Sequence, residues 1–334
     1  MPPGTILPVL PPVGPRAFRR LAQVALGLTV LNIVSGAAVR LSDSGLGCPD
    51  WPTCSLHHLT PPLSLHPAIE FSNRMVVVAL CLVAAAVLLA ALVRAPRRRD
   101  LTWLSAGLIG GILAEAVIGG LVVYSKLNPY VVMVHFMVGI TLLTVAVELV
   151  LRAGRAPGPG VLMVTPSVRR LASSMLAVLV LAIAAGTATT GAGPHAGGKG
   201  AKRIPVPLAD MARTHAEIVL VLGALTLAML YLLEHTRAPA RVADRGRILL
   251  AVMVAQGVIG YTQYFTHLPP VLVGVHVLGV TVLWSAMLWF ADGLSHHRAE
   301  TDPASSRAPE PVEAAADPDA SARAVGRSTV GSGR

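Results

Sequence analysis

Long apolar runs alternate with short polar segments along almost the whole chain. Eight runs stand out, over residues 18–39, 71–93, 101–123, 130–151, 171–191, 212–234, 246–264 and 270–292. A helix needs about 20 mostly apolar residues to cross the hydrocarbon core of a bilayer, and each run meets or approaches that length. Within lipid every backbone N–H and C=O must find its partner inside the segment, so each run is read as a transmembrane helix. The third run carries Gly107, Gly110, Gly111, Gly119 and Gly120, small residues that allow close helix approach in membranes. The pattern predicts an all-α integral membrane protein.

The runs repeat. Ala114, Val117, Ile118 and Gly119 recur as Ala255, Val258, Ile259 and Gly260, and Val134-His135 recurs as Val275-His276, all 141 residues apart. Leu127 and Pro129 recur as Leu268 and Pro270, and Glu115 matches Gln256 at the same offset. This spacing predicts two four-helix halves, 18–151 and 171–292, joined by a linker over 152–170. Each half crosses the bilayer an even number of times, so both point the same way, as parallel repeats about an axis along the membrane normal. Residues 1–17 form an N-terminal segment; its Pro-rich start lacks the charged beginning and cleavage site of a secretory signal. The tail over 293–334 is rich in Ala, Ser, Pro, Arg and Glu, and disorder is expected there.

Composition agrees with a membrane protein. Hydrophobic residues make up 54% of the chain and charged residues only 13%, with a mean hydropathy of +0.65. These values exclude a disordered chain and argue against an ordinary soluble enzyme. The net charge of +10 would suggest nucleic acid in a soluble protein. Here the basic residues cluster between apolar runs, and no basic patch carries stacking aromatics, so the expected surroundings are membrane lipid and not nucleic acid. Twenty of the 27 Lys and Arg residues fall on one side of the predicted topology. The positive-inside rule then places both termini in the cytoplasm, and the loops at 41–70 and 192–211 outside.

Polar groups inside a membrane are costly, so each is a functional candidate. His135, His215 and His276 enter runs four, six and eight at similar depth from the outer side, and Asn73 holds the corresponding position in run two. Each half thus offers one pair: Asn73 with His135, and His215 with His276. Paired imidazoles in a bundle core suit the axial positions of a haem iron; the plainer alternative is a histidine bonded to a nearby carbonyl. Glu70 shares a helical face with Asn73 and Arg74 and is either a carboxylate beside a cofactor or an interfacial partner of Arg74. Glu115 is expected to be a hydrogen-bonding group. Cys48 and Cys54 lie in the first outer loop, where the compartment permits disulfides, as a structural staple or a redox pair. Cys81 reads as a packing residue. His57, His58 and His66 read as loop residues, with Pro67 ending the helix before His66 can join the face of Asn73. His195 follows run five near the outer face.

The stretch Arg40-Leu41-Ser42-Asp43-Ser44-Gly45-Leu46-Gly47-Cys48-Pro49-Asp50-Trp51-Pro52-Thr53-Cys54 resembles the first outer loop of the haem A synthase family, in its Gram-positive, actinobacterial form. Gly193-Pro194-His195-Ala196-Gly197 and the run-four and run-eight histidines are similar too. The resemblance implies oxidation of the C8 methyl of haem O to a formyl group, with water as oxygen source, to give haem A for terminal oxidases. It implies haem b on His215 and His276, and substrate haem in the N-terminal half at His135 and Asn73. It further implies a catalytic role for Glu70, a functional Cys48–Cys54 pair and a plasma-membrane location. Haem O synthase (protohaem farnesyltransferase) and an electron acceptor are the partners expected. The chain departs from the family's Glu-x-x-His-Arg motif: it reads Glu70-Phe71-Ser72-Asn73-Arg74, leaving His135 without a histidine opposite. A second cysteine pair found in some members is also absent after run five. Two rival readings are a bis-histidine b-type cytochrome exchanging electrons with quinone, and a transporter built on parallel repeats.

Overall fold

The computed structural model describes residues 11–48, 50–55, 61, 64–198 and 200–297. Eight helices long and apolar enough to cross a membrane are present among them. They are α1 (Pro15–Leu41), α2 (Leu65–Val93), α3 (Arg99–Tyr124), α4 (Pro129–Ala153), α5 (Pro166–Ala192), α6 (Leu208–His235), α7 (Ala240–Phe265) and α8 (Pro270–Gly293). Each apolar run therefore becomes one helix, but the helices extend past the runs into polar sequence. Prolines sit at the start of α1, α4, α5 and α8. Their fixed φ suits a first helical turn, where the missing N–H has no intrahelical acceptor to lose. The same logic corrects the expectation for Pro67. It lies in the first turn of α2 and does not stop the helix, which starts at Leu65, not at 71. His66 is thus helical, and its Nδ1 lies 3.0 Å from Ser44 Oγ.

Hydrophobic residues point outward as well as inward. Leu82, Trp103, Val117, Tyr231 and Val258 are all more than half exposed, as expected where the surrounding medium is as apolar as the core. Cys81 also faces outward, contrary to its reading as a packing residue.

Helices pack as the pairs α1–α2, α3–α4, α5–α6 and α7–α8. In the first half α1 also packs on α4 and α2 on α3, so α2 and α4 stand diagonally opposed without touching. In the second half α6 and α8 are likewise opposed, and α5 meets α8 only slightly. The halves join through α1–α8, α4–α8 and α4–α5. Helix α4 is the shared wall. Its residues Leu142, Ala146, Leu149 and Ala153 enter a core with α1, α2 and α3. Ile140, Leu143 and Val147 enter a second core with α5 to α8. Both sets follow helical spacing, so α4 buries two stripes instead of one. A side-chain hydrogen bond joins α4 to α8 across this seam: Trp284 Nε1 donates to Thr144 Oγ1 at 2.9 Å.

The α3–α4 and α7–α8 turns share a backbone conformation. Lys126 and Leu127 have φ of 52° and 60°, and His267 and Leu268, 141 positions later, have 64° and 59°. In the first turn Lys126 N–H donates to Val123 O and Leu127 N–H to Val122 O; His267 and Leu268 donate to Tyr264 O and Gln263 O, the same offsets. Left-handed φ costs a branched side chain about 1 kcal/mol. Leu127 is buried nonetheless, wedged beneath Gly45 and Gly197.

At the arginine-rich end, β1 (Val161–Leu162) pairs antiparallel with β2 (Ser295–His296). Asp292 pairs with Arg155 and lies 3.6 Å from Arg245. The first residues beyond α8 therefore pair with the linker; residues 298–334 lie outside the described residues.

Removing the Trp284–Thr144 bond tests how tightly the halves are coupled. Interhelical hydrogen bonds in membranes contribute about 0.6 kcal/mol. In a double-mutant cycle of Trp284→Phe and Thr144→Val, thermal stability in detergent should show a coupling of that order. Strict additivity would mean the bond contributes nothing.

Candidate functional site

Four polar side chains and four glycines build the site. Each polar residue projects from an even-numbered helix, and a glycine lies against it on the helix before. A Cβ added at Gly36 would lie 3.9 Å from Asn73 Oδ1, and one at Gly119 would lie 3.5 Å from His135 Cε1. At Gly186 it would come 3.1 Å from His215 Cε1, and at Gly260 3.3 Å from His276 Cε1. The missing side chains leave room for the rings inside the pairs α1–α2, α3–α4, α5–α6 and α7–α8. All four polar residues line one cavity of about 800 Å³ that both halves share. Its volume lies within the range of about 300–1,000 Å³ usual for ligand pockets. Leu142, Leu222 and Leu283 also line it, so apolar side chains surround the polar ones.

The ring nitrogens are not equivalent. His215 Nδ1 donates to Ala182 O at 3.0 Å. His135 Nδ1 lies 3.1 Å from Glu115 Oε2, a polar contact without the alignment of a hydrogen bond. In both rings Nδ1 is turned to a protein oxygen, leaving Nε2 as the remaining ligating atom. Histidines that bind metals characteristically engage their second nitrogen with a carboxylate or carbonyl. His276 differs, since its buried Nδ1 has no hydrogen-bond partner among the described residues. Gln256, the counterpart of Glu115, donates instead to the His276 backbone carbonyl at 3.1 Å. Asn73 accepts at Oδ1 from Ser35 Oγ at 2.7 Å.

Polar atoms without partners gather here: Glu115 Oε1, Gln256 Oε1, Gln263 Oε1 and His276 Nδ1 are buried and unbonded. Such an atom costs about 1–3 kcal/mol, and several around one cavity mark a ligand site more than a core. Among the described residues no three His, Cys, Asp or Glu side chains converge as a cage for a bare metal ion. Histidines that approach one cavity separately, with apolar walls between, suit a flat metal-bearing ring such as haem.

Glu70 and the cysteines form a clamp at the cavity mouth. Cys48 and Cys54 are joined in a disulfide. The Cys48 backbone N–H donates to Glu70 Oε2 at 2.8 Å, and Arg74 Nη2 donates to Glu70 Oε1 at 2.6 Å. Arg74 Nη1 in turn donates to the carbonyls of Asp50, Pro52 and Thr53. The loop thus hangs from α2 by a buried ion pair. It sets Trp51 against Gly120, where an added Cβ would lie 3.1 Å from the indole, and both Trp51 and Glu70 line the cavity. His57 and His58 lie outside the described residues. The residue spacing placed Glu70 beside Asn73 and Arg74, but not its bond to Cys48. The contact of Glu115 with His135 was also missed; its trace in the sequence is that both positions belong to the 141-residue repeat.

The clamp makes a direct prediction. In the oxidised protein, Cys81 should be the thiol that labels, with Cys48 and Cys54 reacting only after reduction. Glu70→Ala should release the loop and raise the rate of disulfide reduction about tenfold, since a buried charge-assisted bond contributes about 1.5–3 kcal/mol. An unchanged rate would mean that Glu70 does not hold the loop.

Sequence comparison gives this geometry a family. A profile of the family described as cytochrome oxidase assembly protein matches residues 19–68 and 65–197, more than half of the chain. A protein of Geobacillus kaustophilus named heme A synthase is 32% identical over 140 residues, covering 39% of this chain and 43% of the relative. One of Shewanella oneidensis, with the same name, is 32% identical over 151 residues, covering 40% and 44%. One of Geobacillus thermodenitrificans, also so named, is 31% identical over 107 residues, covering 31% and 33%. The matches span less than half the length of these relatives. The family profile takes in most of α1, all of α2 to α5 and the disulfide loop, and the chain belongs to the cytochrome oxidase assembly protein family.

Proposed function

We propose that the protein is a haem A synthase, oxidising the C8 methyl of haem O to a formyl group whose oxygen comes from water. The observation that carries this reading is the shared cavity. It presents the Nε2 atoms of His135 and His215, each ring fixed from behind, together with His276 and Asn73. His215 and His276, on the opposed helices α6 and α8, would hold a resident haem b. His135 and Asn73, on the opposed helices α2 and α4, would hold the substrate. The resident haem supplies one-electron chemistry when bound.

The residues divide the work. Glu115 sits behind His135, with Oε2 3.1 Å from Nδ1, where it would orient the ring toward an iron. Asn73, fixed at Oδ1 by Ser35, offers the cavity an N–H donor and not a ligand lone pair. The substrate iron would thus have one strong protein ligand. Glu70, one turn from Asn73, is the carboxylate we assign to proton handling. Its bonds to Cys48 and Arg74 add a second task, holding the disulfide loop and Trp51 over the mouth. The disulfide end would face outward and both termini the cytoplasm of a plasma-membrane protein, because the arginines gather at the opposite end. Haem O synthase would supply the substrate, and an electron acceptor would take the electrons released.

Haem extraction from cells supplied with haem O tests this reading. The wild type should yield haem A or its hydroxymethyl precursor. A bis-histidine cytochrome would yield protohaem with no new haem species, and a transporter would carry no pigment. His276→Ala should lose the low-spin b-type spectrum while the protein still inserts. His135→Ala should abolish haem A yet keep that spectrum. Glu70→Gln should slow turnover without emptying either site. Near-normal haem A from His135→Ala would show that the substrate lies elsewhere.

The Asn73 position carries its own expectation. With protohaem bound in the N-terminal half, the reduced wild type should bind carbon monoxide at one of two haems. Asn73→His should abolish that binding and add a second low-spin signal. Two low-spin haems in the wild type would mean that another group ligates the iron.

A further inference from the structure

We propose that Arg40 is an anion-binding subsite at the cavity mouth, taking a carboxylate or phosphate oxygen of a ligand seated below it. On the haem reading above, which this inference extends, the anion is a haem propionate.

Arg40 stands in the last turn of α1 and lines the cavity. Its Nε donates to His195 O at 2.8 Å and its Nη2 to Thr190 O at 3.0 Å. Both acceptors are neutral carbonyls, so they orient the guanidinium without balancing its charge. Among the described residues Nη1 makes no hydrogen bond, and no carboxylate lies within ion-pair distance of Arg40. A guanidinium stays charged and presents a planar fork suited to carboxylate or phosphate. Held mostly out of water, it gains most from an anion that completes it.

The other cations lining the cavity do not share this position. Arg74 is bonded to Glu70 and three carbonyls. Arg213 is exposed, where water serves its charge. The loop around Arg40 is shaped for its placement. Gly197 has a φ of +95°, and a Cβ there would lie 3.5 Å from Arg40 Cγ. His195, whose carbonyl receives Arg40 Nε, donates from Nε2 to Leu268 O at 2.8 Å. The Gly193–Gly197 motif and the first residue of the Arg40–Cys54 motif therefore build one feature. It ties α1, the α5–α6 loop and the α7–α8 turn around a single free N–H edge.

Binding to the full-length, haem-stripped protein in detergent decides the matter. The probes are protohaem and its dimethyl ester, which differ only in the charge of the propionates. Wild type should bind the acid about tenfold more tightly than the ester, the size of one charge-assisted contact. Arg40→Gln should remove that preference and Arg40→Lys should keep part of it. A purely structural Arg40 would weaken acid and ester by the same factor, and that result overturns the propionate assignment. A second arm uses nanodiscs of phosphatidylglycerol or phosphatidylcholine. An Arg40-dependent retention of phosphatidylglycerol, with no acid–ester preference, assigns the subsite to a lipid phosphate. If neither preference depends on Arg40, the subsite does not exist. If the wild type binds no haem at all, the haem reading fails, and the lipid arm still decides on Arg40.

Discussion

A polar side chain buried in a membrane bundle needs both space and a partner, and this protein meets the two needs with one device repeated four times. Asn73, His135, His215 and His276 each face a glycine on the preceding helix. The glycine provides the space, because the polar group occupies the volume its side chain would have filled. The partner comes from a neighbouring oxygen: Ser35 Oγ, Glu115 Oε2 and Ala182 O for the first three. Among the described residues His276 Nδ1 lies near no such oxygen, and the His135 contact falls short of a hydrogen bond. A side chain at Gly186 or Gly260 would press on the ring of His215 or His276, so the C-terminal part of the cavity depends most on its glycines.

Within this common frame the halves differ in chemistry. The first half has a carboxyl group behind its histidine and an amide opposite; the second has an amide behind and a histidine opposite. Glu115 contacts the ring of His135, whereas Gln256 turns to the backbone of His276. Two equivalent positions so differentiated suit two ligands with different tasks: one held firmly from both sides, the other from one side with an open face.

Most of the fold was legible because lipid removes alternatives. A long apolar run in a bilayer can only be a helix, so all eight helices followed from hydropathy. What hydropathy misses is polar sequence that continues a helix, such as Leu65–Glu70 of α2. The depth of the three histidines was legible from counting, and their convergence on one cavity agrees with it. The links made by Glu70, Arg40 and His195 were not legible. Each joins residues to a loop backbone, and backbone amides and carbonyls leave no trace in a sequence. Cys81 failed for the opposite reason: facing lipid and facing a core demand the same apolar character, so its direction could not be read.

The two ends of the molecule are built differently, and the difference explains where the cavity lies. At the arginine-rich end, Asp292 gathers Arg155 and Arg245, Arg245 lies over Trp289 at 4.5 Å, and β1 pairs with β2. Below the cavity, α4 is buried on two faces, one in each core. This half of the bundle is closed and shared, so neither set of four helices can shift there without the other. At the opposite end the helices are joined by turns and by loops that hang on side chains, Glu70–Arg74 on one side and Arg40 on the other. His135 lies on α4 itself, above the stripes that bind the halves together. The position proposed for substrate is therefore rooted in the helix that enters both cores, while its cover is held by a few polar contacts. A bulky ligand entering from that end would displace loops and not helices.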